Sequence, residues 1–355
     1  MKQPLFALVV LALAVTLVSC STSYTDLEIT TAPEITTPDS TTPDQPEEDG
    51  AIVILDHAGR EVTLPTTAQR LVSGYTVTTS IFIGLGLEEQ LVGIEMKAET
   101  RPLYPLAAPH LLEVPGVGTS KEFDIEGTMA LAPDLVVLPI RLVESAETFA
   151  EMGINAICVN PENDALLAEA VDMIARATGT EDRARDLLTM GTETLAEVAI
   201  RIADQSAPRV YFSSESDLLA TAGAQMYQST LIEQIHAENV ASTIEETYWA
   251  NISYEQLIAY NPDYIIIAPA ASYGVEDVLS DPNLQSLDCV KENRVVQMPY
   301  AVESWDLPMP SSYLGSLWMA SVFYPDSYSN QDFLDEVVAY YQEFYDFDVD
   351  TTQLQ

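Results

Sequence analysis

Two stretches of this chain repeat one another, and that repeat limits the fold more than any other feature. Asp124–Pro139 reads Asp-Ile-Glu-Gly-Thr-Met-Ala-Leu-Ala-Pro-Asp-Leu-Val-Val-Leu-Pro. Ser253–Ala268 reads Ser-Tyr-Glu-Gln-Leu-Ile-Ala-Tyr-Asn-Pro-Asp-Tyr-Ile-Ile-Ile-Ala. Glu126 matches Glu255, Pro133 matches Pro262 and Asp134 matches Asp263. Each copy predicts a short capped helix, a Pro-Asp turn and a buried strand. Asp124 and Ser253 are good N-caps, and a glutamate in the first turn suits the helix dipole. The proline ends the helix, and the apolar run after it suits a parallel strand covered on both faces. Two such units, each with its own flanking elements, predict two similar α/β lobes.

The rest of the chain fills in around them. Ile52–Leu55 and Glu61–Leu64 flank a Gly-containing turn and predict a hairpin, in which His57 is a turn residue. A strand at Arg70–Gly74, a helix at Thr78–Leu87 and a strand at Leu91–Ile94 follow. Lys97–Lys121 is Pro-rich and irregular. Beyond the first repeat come a helix (Val143–Met152), a strand (Ile154–Val159) and a helix (Asp164–Thr178). Glu181–Asp204 carries apolar residues at Ala184, Leu187, Leu188, Leu195, Val198, Ala199 and Ile202. Such a helix spans about 36 Å, and it lies between the two repeats, so it is expected to join the lobes. The second lobe opens with a strand at Arg209–Ser213 and a helix at Tyr227–Ile235. After the second repeat it holds a helix near Val275–Ser280 and a strand at Arg294–Met298. Closing helices at Ser311–Tyr324 and Gln331–Phe344 complete it. The expected domains are residues 51–179, a connecting helix at 180–205, and residues 206–355.

The 355 residues exceed one ordinary core and suit two lobes. The net charge of −41 argues against nucleic acid as a partner. Met1–Lys2 and the apolar run Leu5–Val18 predict a signal segment at residues 1–20, too short to span a bilayer. Residues 21–50 are rich in Thr, Pro and Asp and predict a disordered acidic tether. Leu17-Val18-Ser19-Cys20 resembles the lipobox of bacterial lipoproteins, in which the cysteine is acylated. That resemblance implies lipid attachment at Cys20 and an extracytoplasmic, membrane-anchored domain. Cys158 and Cys289 read as buried thiols rather than a disulfide.

Asp56–Pro65, Leu91-Val-Gly93, Val114–Gly118, the two Glu…Pro-Asp units and Asn251–Pro262 together resemble the binding proteins of ABC importers for iron–siderophore, haem, cobalamin and related ligands. The resemblance covers about Ile52 to Phe344. It implies two Rossmann-like lobes with central parallel sheets, joined by one long helix as in class III periplasmic binding proteins. It implies an ABC permease and its ATPase as partners, and one glutamate per lobe docking on that permease. By position these are Glu126 and Glu255.

For the ligand, Lys97, Arg101, Lys121 and Arg141 cluster in the first half, while no basic residue falls between Arg209 and Lys291. Tyr248, Trp249, Tyr273, Tyr300 and Trp305 lie in or just beyond that stretch. This predicts a cleft with a cationic first side and an aromatic second side, suited to an anionic metal chelate. The expected contacts are Tyr75, Arg101, Tyr104, Lys121, Arg141, Tyr248, Trp249, Tyr300 and Trp305. A ferric siderophore heads the ligands; haem (with Tyr75 or Tyr104 as axial ligand), cobalamin and molybdate stay open. His57, His110 and His236 do not cluster, so no metal site of the protein's own is expected. No nucleophile, phosphate-loop or zinc motif is present, so no catalytic residue and no cofactor are expected. A secreted two-lobed hydrolase or a surface adhesin are the alternatives. The expected state is a monomer.

Overall fold

The computed structural model describes residues 50–119, 121–245 and 248–354. Cys20, the signal segment and all of the tether but Gly50 lie outside the described residues.

The chain begins with an antiparallel hairpin, β1 (Ile52–Leu55) and β2 (Glu61–Leu64). Asp56 closes its turn, accepting from the backbone N–H of Ala58 and Arg60. The first α/β half holds β3 (Leu71–Ser73), α1 (Thr76–Gly84), β4 (Leu91–Gly93), α2 (Leu103–Ala107) and α3 (Ile125–Ala130), then β5 (Leu135–Pro139), α4 (Val143–Glu151), β6 (Asn155–Val159) and α5 (Asp164–Thr178). Its sheet has the order β4-β3-β5-β6, with every pairing parallel. All five residues of β5 are buried, as expected of a strand covered by helices on both faces.

Helix α6 (Glu181–Ile202) carries the chain to the second sheet and is about 33 Å long. The second half holds β7 (Arg209–Ser213), β8 (Ala220–Thr221), α7 (Tyr227–Gln234), β9 (Glu238–Asn239), β10 (Ala250–Asn251) and α8 (Tyr254–Tyr260). It continues with β11 (Tyr264–Ile267), α9 (Val275–Ser280), α10 (Asp288–Lys291), β12 (Val295–Gln297), α11 (Tyr313–Phe323) and α12 (Asn330–Tyr345). The order is β10-β8-β7-β11-β12, with β9 beside β7. Strands β7, β11 and β12 are parallel, and β8 and β10 add an antiparallel edge.

The same set of capping contacts recurs in both copies of the repeat. In α3, the Asp124 carboxylate accepts from Gly127 N at 2.9 Å; in α8, Ser253 Oγ accepts from Gln256 N at 3.2 Å. After each helix the Pro-Asp turn meets the start of the neighbouring strand. Asp134 Oδ2 accepts from Arg70 N at 2.9 Å, and Asp263 Oδ2 accepts from Arg209 N at 2.8 Å. Each arginine then donates back to the helix end: Arg70 to the carbonyls of Leu131 and Ala132, Arg209 to those of Tyr260 and Asn261. These carbonyls have no partner within the helix, so the arginine acts as a C-cap.

The halves share more than the rod. One buried cluster runs through α1, α5, α6, α7, α11 and α12. Arg183 of α6 donates to the carbonyls of both Gly84 and Phe344. Ser80 of α1 donates to Glu303, beyond β12, at 2.6 Å. Helix α11 is buried nearly all round, which explains its uniformly apolar sequence. Among the described residues no helix is long and apolar enough to cross a membrane.

Candidate functional site

In sheets of this kind, ligands sit beyond the carboxyl ends of parallel strands. Here both sheets deliver side chains from those ends. In the first half, Tyr75 follows β3, Arg141 follows β5 and Glu162 follows β6. In the second, Ser214 and Glu215 follow β7, and Asp306 lies in the loop after β12. These residues line one cavity of about 400 Å³, together with Gln228 from α7 and the pair Tyr248 and Trp249 before β10. An adjoining space of about 500 Å³ shares Arg141, Glu162, Met226 and Tyr248. Both volumes fall in the range of small-molecule pockets.

Two aromatics shape the second side. Tyr248 is 73 % exposed, with its ring open to an incoming molecule. Trp249 is half-buried and stacks on Phe212 of β7, ring centres 6.3 Å apart, which fixes its plane.

The charge of the cleft departs from the sequence expectation. Among the described residues, Arg141 is the one basic residue lining the cavity of about 400 Å³, against three carboxylates: Glu162, Glu215 and Asp306. Burial raises Glu162 above the usual carboxylate range, with Arg141 opposing. Burial likewise raises Glu215, with Arg101 opposing. Asp306 is pushed up to about 7, by burial and then by the charge of Glu215. The Tyr75 phenol is held well above its ordinary value by burial and Glu162, with Arg141 pulling the other way. The expected cationic side is therefore corrected to a mixed, net acidic one.

The predicted residues divide three ways. Tyr75, Arg141, Tyr248 and Trp249 meet at the cavity. Arg101, Tyr104 and Tyr300 surround a space of only about 20 Å³ where the halves touch. There the Tyr300 hydroxyl donates to the carbonyl of Thr100 at 3.1 Å, and Tyr104, 1 % exposed, donates to Glu95. A phenol so enclosed cannot reach a haem iron, so Tyr104 is corrected to a structural residue. Lys121 is exposed and lines neither space. Trp305 is 1 % exposed, packs edge-on against Phe333 and donates from Nε1 to the Tyr341 hydroxyl at 2.8 Å. It belongs to the core.

Glu162, Glu215, Gln228 and Asp306 were missed by the sequence reading. The signal that could have found the first two is their place just past a predicted strand end. Among the described residues, no cluster of His, Cys, Asp and Glu could hold a metal ion. Cys158 and Cys289 are buried, unpaired thiols pushed up by burial to about 11.

Glu126 and Glu255 are exposed in the first turns of α3 and α8. Each helix folds back on the strand that follows it. Its N-terminus therefore lies toward the strand's carboxyl end, the same end as the cleft. Hydrogen bonds from its own backbone and from Ser253 hold the Glu255 carboxyl below the usual range.

A family profile described as periplasmic binding protein matches residues 71–302, which spans both sheets and the helix between them. This chain belongs to that family. The binding protein is 26 % identical over 321 residues to the molybdate-binding protein MolA of Haemophilus influenzae, covering 82 % of this chain and 90 % of MolA. It is 23 % identical over 215 residues to the vitamin B12-binding protein of Salmonella paratyphi A, covering 59 % and 77 %. The solved structure of MolA with molybdate superposes with a TM-score of 0.74 at 24 % identity, covering 84 % of this chain and 98 % of that one. A periplasmic solute binding protein from Veillonella parvula also gives 0.74, at 21 % identity and with 86 % and 95 % covered. The binding protein is thus a class III, two-sheet α/β receptor that works outside the cytoplasm. It captures a substrate for an ABC permease and is not an enzyme.

Proposed function

We propose that the binding protein captures a metal chelate in the cleft between its two sheets, with no cofactor of its own. The observation that carries this reading is the convergence of strand-end residues from both sheets on one cavity of about 400 Å³. Aromatic area from Tyr248 and Trp249 suits a ligand with flat or apolar parts, and Arg141 suits a carboxylate, catecholate or hydroxamate oxygen. Relatives are named for molybdate and for vitamin B12. Three carboxylates facing one arginine disfavour a bare dianion such as molybdate. A larger chelate that spreads its charge fits better, and a ferric siderophore is our first choice.

The monomeric receptor is held to the membrane through Cys20 and meets its permease through Glu126 and Glu255. ATP is consumed by the partner chains. Changing Cys20→Ala should move the protein from the membrane fraction to the soluble one; retention in the membrane argues against the anchor.

The direct test is a thermal-shift panel on residues 51–355, using ferric hydroxamate and catecholate chelates, haemin, cobalamin and molybdate. A ligand at 100 times its Kd adds about 2.7 kcal/mol. One chelate should raise the melting temperature, and Trp249→Ala and Arg141→Ala should each weaken its binding about tenfold or more. A shift with molybdate alone, or binding insensitive to both substitutions, overturns the chelate reading.

A further inference from the structure

One corner of the cleft has more hydrogen-bond acceptors than its own donors can meet. Asp306 is 2 % exposed and Gln228 is 4 % exposed, and both line the cavity. The Gln228 amide donates from Nε2 to the backbone carbonyl of Asp306 at 3.0 Å and lies 3.5 Å from Oδ2. That bond fixes which end of the amide is nitrogen. It leaves Gln228 Oε1 and Asp306 Oδ1 as buried oxygens with no donor among the described residues. Glu215, on the same cavity, adds a third acceptor side chain. Buried polar atoms normally have partners, and a buried carboxylate most of all.

We propose that Glu215, Gln228 and Asp306 form a subsite for a cationic, N–H-donating group of the ligand, of the ammonium or guanidinium class. This rests on the cleft being the ligand site. It also changes the expected ligand: a chelate with one anionic region toward Arg141 and one protonated nitrogen toward the second half. A cation–carboxylate contact of this kind gives charge-assisted hydrogen bonds, the strong class.

The charge balance gives the subsite a pH dependence. The titratable and charged groups that line the cavity with Asp306 are Glu215, Glu162, Arg141, Tyr75 and Tyr248. The charge of Glu215 acts on Asp306, while the Tyr227 hydroxyl is hydrogen-bonded to Ser312. Arg101 acts on Glu215. Asp306 is pushed up to about 7, and Glu162 and Glu215 are raised in the same sense. A cation binds the ionised form, so its affinity rises with pH through this range. An anion behaves in the opposite way.

The test uses two small probes of opposite charge on residues 51–355, methylguanidinium and molybdate, titrated calorimetrically at pH 6 and pH 8. Methylguanidinium should bind saturably, about tenfold more tightly at pH 8. Asp306→Asn and, independently, Glu215→Gln should each weaken it about tenfold or more and flatten the pH effect. No saturable methylguanidinium binding, or binding unchanged in Glu215→Gln, overturns the subsite. If a chelate still binds with sensitivity to Arg141→Ala while methylguanidinium does not, the subsite falls and the chelate reading of the cleft stands. If neither probe nor any chelate binds, both fall.

Discussion

Glu303 is buried and accepts from Ser80 Oγ, Ser311 Oγ and the Tyr341 hydroxyl. Burial raises it above the ordinary glutamate range, and those three donors only partly offset the effect. Glu95 is alike, raised by burial against donors from Thr79 and Tyr104. A carboxyl whose folded pKa exceeds its unfolded one contributes stability that is whole below the unfolded value. That stability is lost as pH rises through the folded value. The protein should therefore lose stability from the usual glutamate range upward, and Glu303→Gln should reduce that slope. Urea unfolding at pH 5 and pH 8 measures it; equal slopes in the two proteins contradict the assignment. Glu303 also shows where residue-scale reading of the sequence stopped. In a chain with 55 acidic residues, a single carboxylate carries no signal. Which ones become buried is decided by packing, so residue type did not single out Glu162, Glu215 and Asp306, whereas Arg141 stood out as one of few basic residues. Position just past a strand end was a signal shared by Tyr75, Arg141, Glu162 and Glu215.

At the scale of elements, the period and punctuation of the sequence were informative wherever an element was long. Helix α5 and strand β7 occupy the residues that their patterns predict. Two-residue strands such as β8, β9 and β10 have no period to detect, and their pairing comes wholly from the sheet they join. Helix α2 was hidden in the Pro-rich stretch because it is only five residues long. The Pro-Asp turns make a local prediction. Replacing Asp134 or Asp263 with Ala leaves strand N–H groups without their acceptor and should cost about 1–2 kcal/mol each. Urea midpoints test this, and a loss at one site but not at the other contradicts their equivalence. Helix α6 offers a sharper case. Gly191 faces Tyr313 of α11, and an added Cβ would lie 2.9 Å from the ring. Helix propensity alone favours Gly191→Ala by about 1 kcal/mol. Overpacking costs about 1–3 kcal/mol and should win, so this substitution should destabilise the protein.

For the whole molecule, the duplicated Arg–Asp–helix unit places Glu126 and Glu255 in corresponding positions, one per half. Charge reversal at both, Glu126→Arg with Glu255→Arg, should cut uptake at least tenfold in cells while chelate affinity on the isolated protein stays unchanged. Uptake that persists removes the docking role. The shared core through α1, α6, α11 and α12, with Ser80–Glu303 and Arg183 binding the halves together, argues for a small closing movement rather than a wide one. The central claim is that one ligand touches both sheets at once. Hydrogen exchange on residues 51–355, with and without the chelate that gives the largest thermal shift, tests it most directly. Protection should rise together in residues 74–80 and 214–228. Protection confined to one half, or found away from both segments, would contradict the account.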